Sequence, residues 1–278
     1  MFKTLKGIFK DLKEWRSQVF HLALIAMQTS ARGTALGWLW IFLKPGMYIF
    51  CFWFTLYLGI KGAHVTGMTG GEYLVWLSAG IIPWFFMQSS LNTGSNVFTK
   101  YSYLVTKLKF PIALIPIFYE LSLLLIHIML LACLMIGYLV AGGSFDLYFL
   151  QLPLIIVMMY IFFAAWSLLT SPLTAISKDL ANAIKTMMTP IFWLSGVLFD
   201  TTHMHSHLVR IIFYLNPITF FTTCYRRVFV YSTSTEQFKG WIWENPEFFF
   251  CGLGVLVLTV LAALFVFSRL RKEVPDVL

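Results

Sequence analysis

An all-α, polytopic membrane protein is the fold class this sequence predicts, and three observations predict it. Of its 278 residues, 59% are hydrophobic and only 12% charged, where soluble domains carry about 25% charged residues. Apolar runs near the ~20 residues that cross a bilayer recur six times. Lysine and arginine are distributed unevenly between alternate loops. A core of ordinary size cannot hide so much apolar surface, so the solvent of this chain is lipid. The net charge of +8 then reads as basic loops on the cytoplasmic side rather than as a nucleic-acid surface.

The N-terminus "MFKTLKGIFKDLKEWR" has no continuous apolar core and does not read as a cleavable signal peptide. At helical spacing Phe2, Leu5, Ile8, Phe9, Leu12, Trp15 and Val19 share one face, while Lys3, Lys6, Lys10 and Lys13 crowd the other. That pattern predicts an amphipathic helix lying in the cytoplasmic interface over 1–33. It serves either as an arm for a cytosolic partner or as a plain anchor.

Spans are expected at 34–60, 73–98, 111–141, 149–171, 185–199 and 247–268. The first holds nine aromatic side chains together with Lys44 and Pro45. Pro45 removes a backbone donor and predicts a kink. Lys44 lies close enough to the inner boundary to snorkel toward phosphate; it marks the start of the span or meets an anionic head group. Trp38, Phe42, Trp53 and Tyr57 fall on one face with Phe50 at its edge, and Trp40, Tyr48, Phe52 and Phe54 fall elsewhere. Rings stack on the C–H patches of sugars, so the first face, with Phe192 and Trp193 of the short fifth span, is the candidate channel lining. Lipid contact at the interface is the alternative for about half of these rings.

After the fifth span, "HLVRIIFYLNPITFFTTCYRRVFVY" from His207 to Tyr231 carries Arg210, Arg226 and Arg227 and is interrupted by Pro217. Two half-length helices dipping into the outer leaflet fit it better than a seventh crossing. With both termini inside, fourteen basic residues face the cytoplasm and five face outward (Lys61, Arg210, Arg226, Arg227 and Lys239), Lys44 lying between. The inverse topology is disfavoured. The transmembrane domain is thus expected over 34–268, followed by a cytoplasmic tail at 269–278. No internal repeat, low-complexity tract or interdomain linker is evident.

Several chemistries lack their residues. There is no G-x-x-x-x-G-K-[ST] to cradle ATP phosphates, no midplane series of carboxylates for a proton relay, and no nucleophile–base cluster. Glu72 and Glu120 fall near span ends. The cysteines Cys51, Cys133, Cys224 and Cys251 read as small buried hydrophobes. "HMHSH" at His203, His205 and His207 lacks an evident fourth ligand and reads as a polar outer loop. No metal site or catalytic residue is expected, and energy must come from a partner chain.

Three motifs carry a family resemblance. "LGWLWIFLKP", Leu36 to Pro45, resembles the signature opening the first span in permease subunits of ABC-2-type polysaccharide, teichoic acid and O-antigen exporters. "KLKFP", Lys107 to Pro111, resembles the basic loop those permeases carry before their third span. "NPIT", Asn216 to Thr219, followed by Arg226, is similar to their extracellular N-P motif. The richer aromatic content around Trp38 and Trp40 departs from the usual pattern and does not identify the polymer.

The resemblance implies two permease copies about a twofold axis in a bacterial cytoplasmic membrane. Each copy rests on a separate nucleotide-binding subunit that supplies ATP and Mg chemistry; this chain binds no cofactor of its own. It implies that the loop of Tyr101, Lys107, Lys109, Phe110 and Pro111 docks on that ATPase. Tyr101 to Phe110 is expected to form a short basic helix, and Lys178 and Asp179 are the second inner-loop candidates. Asn216, Pro217 and Arg226 are the candidate extracellular gate, and Lys44 the candidate head-group contact. The expected function is export of a lipid-linked polysaccharide or teichoic acid. The alternatives are a drug or small-lipid permease of the same superfamily and a membrane-embedded acyl- or glycosyltransferase, the latter lacking its polar cluster.

Overall fold

In hydrocarbon every backbone N–H and C=O must bond within its own segment, and the helix is the local way to do so. The computed structural model describes residues 2–33, 35–59, 68–108, 110–201, 206–229, 239–271 and 273–274. Among these every regular element is helical. In chain order they are α1 (Phe2–Glu14), α2 (Arg16–Ala31) and α3 (Leu39–Trp53), the last continuing as a π-helix over Phe54–Gly59. Then come α4 (Gly70–Asn92), a 3-10 turn (Gly94–Asn96), α5 (Val97–Lys100), α6 (Ser102–Thr106) and α7 (Leu114–Val140). A second 3-10 turn (Leu147–Gln151), α8 (Leu152–Ile176), α9 (Lys178–Leu194), α10 (His207–Leu215), α11 (Pro217–Phe229) and α12 (Pro246–Leu270) complete the chain.

Local signals explain several boundaries. Thr69 and Glu72 form a reciprocal capping box at the start of α4, which satisfies two otherwise orphaned donors. Asn245 accepts from the Phe248 N–H, with Pro246 in the first helical position of α12. Asn216 accepts from the Ile218 N–H across the break between α10 and α11. Pro217 opens α11, where its missing N–H costs nothing.

Five helical stretches are long and apolar enough to cross a membrane: Leu39–Gly59, Gly70–Thr106, Leu114–Val140, Leu147–Ile176 and Pro246–Leu270. They match five expected spans with shifted ends. The fifth expected span, 185–199, is corrected: α9 begins earlier, at Lys178, and ends at Leu194 after 17 residues. At 1.5 Å per residue it reaches roughly 25 Å, short of a hydrocarbon core of about 30 Å. Residues 195–199 leave the helix because Gly196, at φ +64, turns the chain and its carbonyl is captured elsewhere. The α10–α11 pair, bent by 90°, is apolar enough to count as a sixth crossing if taken as one segment.

The amphipathic N-terminal segment also differs from a single helix. The chain breaks at Trp15 between α1 and α2, where the indole packs edge-on against Phe110 at 5.3 Å. Val19 and Ala23 of α2 are buried in a core with Phe110, Leu114, Phe118 and Phe267, so α2 packs on α7. The assigned α3 helix runs through Pro45 and changes to the wider π form only at Phe54. Cys224 is buried and Cys251 half-buried as expected, but Cys51 and Cys133 lie on the outward surface. The outward face of a lipid-solvated helix is itself apolar, so a small thiol sits there without penalty.

Two hydrophobic cores divide the molecule. One joins the N-terminal half of α7 and the C-terminal end of α12 to α1, α2 and the loop around Phe110. The other seats α11 among the opposite helix ends: Trp76 near the start of α4, Tyr138 near the end of α7, Phe163 of α8 and Phe248 at the start of α12. Gln151 is buried in the second region. Its amide nitrogen donates to Gly240 O at 3.0 Å and its oxygen accepts from Ile242 N at 3.0 Å. The Lys239–Asp146 ion pair ties the same loop down.

Candidate functional site

Four rings and a guanidinium form one continuous stack. Trp53 lies over Tyr57, Tyr57 over Tyr73 and Tyr73 over Trp76, each pair 5.7 Å apart and within 27° of parallel. The Arg226 guanidinium caps the stack, 3.5 Å above the Trp76 ring. Spacing within α3 and α4 places these rings. The Trp53 indole donates to Gly70 O at 3.0 Å, and a Cβ on Gly70 would approach the Tyr57 ring to 3.2 Å. Glycine there leaves the Tyr57 ring room to pack on α4 without shifting.

Arg226 is 4% exposed and holds backbone rather than a ligand. Its Nη1 donates to Gly196 O at 2.7 Å and Phe199 O at 3.3 Å, its Nη2 to Val197 O at 2.5 Å, and its Nε to Trp76 O at 3.4 Å. The planar fork gathers the carbonyls left open after α9, and its apolar face stacks on indole. Gly80 faces this cluster; a Cβ there would sit 2.7 Å from Nη2 and 2.8 Å from Val197 O. Asn216 donates to Ser195 Oγ at 3.0 Å and Thr219 donates to Ser195 O at 2.9 Å. The three candidate gate residues, Asn216, Pro217 and Arg226, thus all belong to the hinge that fastens α11 to the end of α9.

The expected channel face is divided. Trp38 and Phe50 are exposed on the outer surface of α3, while Phe42, Trp53 and Tyr57 are half-buried against the core. Trp53 and Tyr57 are held against α4 at the far end of that face, whereas Trp38 and Phe50 are free of it. Phe192 and Trp193 meet α3 through Phe52, at 5.7 and 6.3 Å, a ring assigned to the other side by spacing. Phe192 is buried and also packs on Trp84 at 5.2 Å, whereas Trp193 is 56% exposed.

At the opposite end, the stretch Tyr101 to Phe110 holds one short helix as expected, α6, but it covers only Ser102–Thr106 and ends before the lysines. Lys107 and Leu108 project outward. Phe110 is corrected from a surface contact: it is buried in its own chain between Trp15 and Phe118. Tyr101 packs on Phe118 at 5.0 Å, and Pro111 is half-buried. Lys109 lies outside the described residues, as do His203 and His205; His207 opens α10. Lys178 and Asp179 are exposed at the start of α9, where the carboxylate complements the helix dipole.

Sequence spacing missed three polar features. Glu120, in the second turn of α7, is fully buried and accepts from Ser90 and Ser167, both at 2.5 Å. Gly94 makes room for it: a Cβ there would lie 2.7 Å from the Glu120 carboxyl and 2.3 Å from Ser167 Oγ. Ser95, Thr170, Ser171 and Thr174 continue this polar seam between α8 and the 3-10 turn. His127 of α7 contacts the Tyr225 hydroxyl of α11 at 2.6 Å. Lys44 and Lys100 line a common cleft. One hint was available, the Ser/Thr run of α8 at helical spacing; nothing local predicted its partners.

Lipid-length apolar helices, a buried polar seam inside them and a bent pair at one end define a multi-pass α-helical membrane protein. Residues 17–230 match the ABC-2 type transporter family, and the chain belongs to that family. Membership makes it a transport permease rather than a catalytic subunit and implies an ABC ATPase partner. It is also similar to the O-antigen export system permease protein RfbA of Myxococcus xanthus, 19% identical over 223 residues, covering 80% of this chain and 84% of the relative.

Proposed function

We propose that this chain is the membrane subunit of an ATP-driven exporter that moves a lipid-linked polysaccharide or teichoic acid across a bacterial cytoplasmic membrane. The observation that carries this reading is the polarity of the fold within an ABC-2 permease. One end bears the basic loop at Lys107 and the amphipathic helix α1; the other is capped by α10 and α11 around Arg226. In this reading both termini are cytoplasmic, α1 lies in the inner interface, and α10–α11 is a re-entrant pair between the fifth and sixth spans. Its backbone breaks are satisfied by protein groups.

Two copies meet at a twofold axis, each seated on one of two ATPase subunits that bind ATP and Mg. The transmembrane domain occupies 34–268 and the tail 269–278. Lys107, Lys109, Lys178 and Asp179 contact the ATPase, with Tyr101, Phe110 and Pro111 as the packed base of that contact. Trp38, Phe50 and Trp193 face the channel; Phe42, Trp53, Tyr57 and Phe192 form its supporting wall; Lys44 meets the head group of the cargo. Asn216, Pro217 and Arg226 hold the outer gate. Similarity to a protein named as an O-antigen export permease supports a glycan over a drug or small lipid.

The test is depletion of this chain in its host with cell-surface glycan as the readout. Loss of one surface polymer, with its lipid-linked precursor accumulating inside, is expected. Unchanged surface glycan with altered drug efflux overturns the cargo assignment.

A further inference from the structure

Just before α12, residues 239–245 read "KGWIWEN" and form no regular element. Their backbone is nevertheless pinned. Gln151, 2% exposed, grips both sides of Trp241: its amide donates to Gly240 O and accepts from Ile242 N, each at 3.0 Å. Arg227 Nη1 donates to the carbonyl of Trp241 itself at 2.8 Å. Lys239 pairs with Asp146 and lies over the Tyr148 ring at 5.8 Å. Glu244 pairs with Arg227 at 3.6 Å. Glycine at position 240 leaves room for that carboxylate, because a Cβ there would collide with it.

This frame holds up a tier of three rings. Tyr148 packs on Trp241 at 5.3 Å, and Trp241 is covered by Trp243, 4.8 Å away and within 14° of parallel. Trp243 ends the tier. It is 47% exposed and, among the described residues, stacks on no other ring. A tryptophan that only anchors a span in the interface takes its place from the lipid and needs no such frame. A ring fixed by its backbone and by a second ring beneath it has already lost the freedom that binding would otherwise have to remove.

The rim is polar without being charged overall. Its two cations and two carboxylates are paired, Lys239 with Asp146 and Arg227 with Glu244. A polyanion gains little from such a rim, whereas neutral hydroxyls find acceptors on the carboxylates and donors on the cations. The C–H face of a pyranose complements the electron-rich face of indole. We infer that Trp243, backed by Trp241 and rimmed by Glu244, is a stacking site for a pyranose unit of a neutral glycan on the outer surface. The inference rests on the export reading above and narrows its cargo, favouring a neutral polysaccharide over a phosphate-rich teichoic acid. The polymer meets this ring at the start of α12, after it has crossed.

The test has two arms. In the first, the full-length chain in detergent is examined by saturation-transfer NMR with mannohexaose, cellohexaose and a glycerol phosphate oligomer. Transfer to a neutral hexaose well above the phosphate oligomer is expected. Trp243→Ala and Trp243→Leu, matched to wild type in thermal transition, should each reduce it at least fivefold, and Trp243→Phe should keep most of it. An open ring face tolerates many sugars, so transfer to neither hexaose overturns the site. Wild-type transfer in Trp243→Leu overturns ring stacking and leaves an apolar interface anchor. Stronger transfer to the phosphate oligomer overturns the neutral-glycan assignment. In the second arm, the depleted host is complemented. Trp243→Leu, present in the membrane at the wild-type amount, should restore at least twofold less surface glycan than the wild-type chain. Full restoration by Trp243→Leu overturns the role of this ring and leaves the export reading intact. Surface glycan that does not depend on the wild-type chain overturns the export reading itself.

Discussion

Arg226 ties the end of α9, α4 and α11 together through one buried side chain. A buried guanidinium is costly unless its donors are satisfied and its face is covered, and here four carbonyls and an indole do both. Hydrogen bonds from a charged donor contribute about 1.5–3 kcal/mol each when one partner is lost. Arg226→Ala removes four such bonds, which do not add independently, and should therefore lower stability by more than about 3 kcal/mol, read as thermal unfolding of the purified chain. Arg226→Lys should fall in between, because lysine keeps the charge but not the planar fork. A wild-type transition in Arg226→Ala would show that the turn after α9 holds itself. Glu120 shows the same logic without a cation: two serine hydroxyls satisfy the carboxyl, and a glycine supplies the space.

At the scale of elements, the informative segment is the loop between α4 and α7. Leu104 and Phe110 anchor it in the inner core, which leaves Lys107 and Leu108 projecting from a fixed base. A partner that pushes there moves α7, since Phe118 and Tyr119 pack on Tyr101. Lys107→Glu with Lys109→Glu should leave the fold intact while reducing transport-coupled ATP hydrolysis of the assembled complex by at least tenfold. A double variant that transports at the wild-type rate removes this loop from the coupling contact. The π-helix at Phe54–Gly59 is the corresponding irregular element on the other side. It turns Tyr57 onto Tyr73 and so joins α3 to the Arg226 stack.

For the molecule as a whole, the two cores assign its elements to two ends, and the topology follows from which membrane face each end meets. Single cysteines at Gln18 and at Ser206, in a background with the four native cysteines replaced by serine, should label from opposite sides. A membrane-impermeant maleimide applied to whole cells is expected to reach position 206 and to reach position 18 only after lysis. Labelling of both from outside would overturn the orientation and the assignment of the basic loop to the cytoplasm. The outer surface around α3 exposes Trp38, Trp40, Phe50 and Phe54. It is where a second copy or the cargo is expected to lie.

By itself the sequence determined that the chain is helical, where five of its long apolar segments lie, and where the chain breaks at Pro217. These properties depend on residues near one another: apolar length, helical periodicity, and a proline after an asparagine are all local. The class of protein was legible for the same reason, since its motifs are short and contiguous. Only the tertiary structure decided which rings face inward, that Phe52 rather than Trp53 meets Phe192, and that Phe110 is an anchor. It alone brought Arg226 to Trp76, Glu120 to Ser90 and Ser167, and Lys44 into one cleft with Lys100. Those pairings join residues far apart in the chain, and a helical period gives a side chain its face without saying which neighbour fills it. In a lipid solvent the ambiguity is greater, because apolar residues are stable both inside and outside and hydrophobicity no longer marks the core.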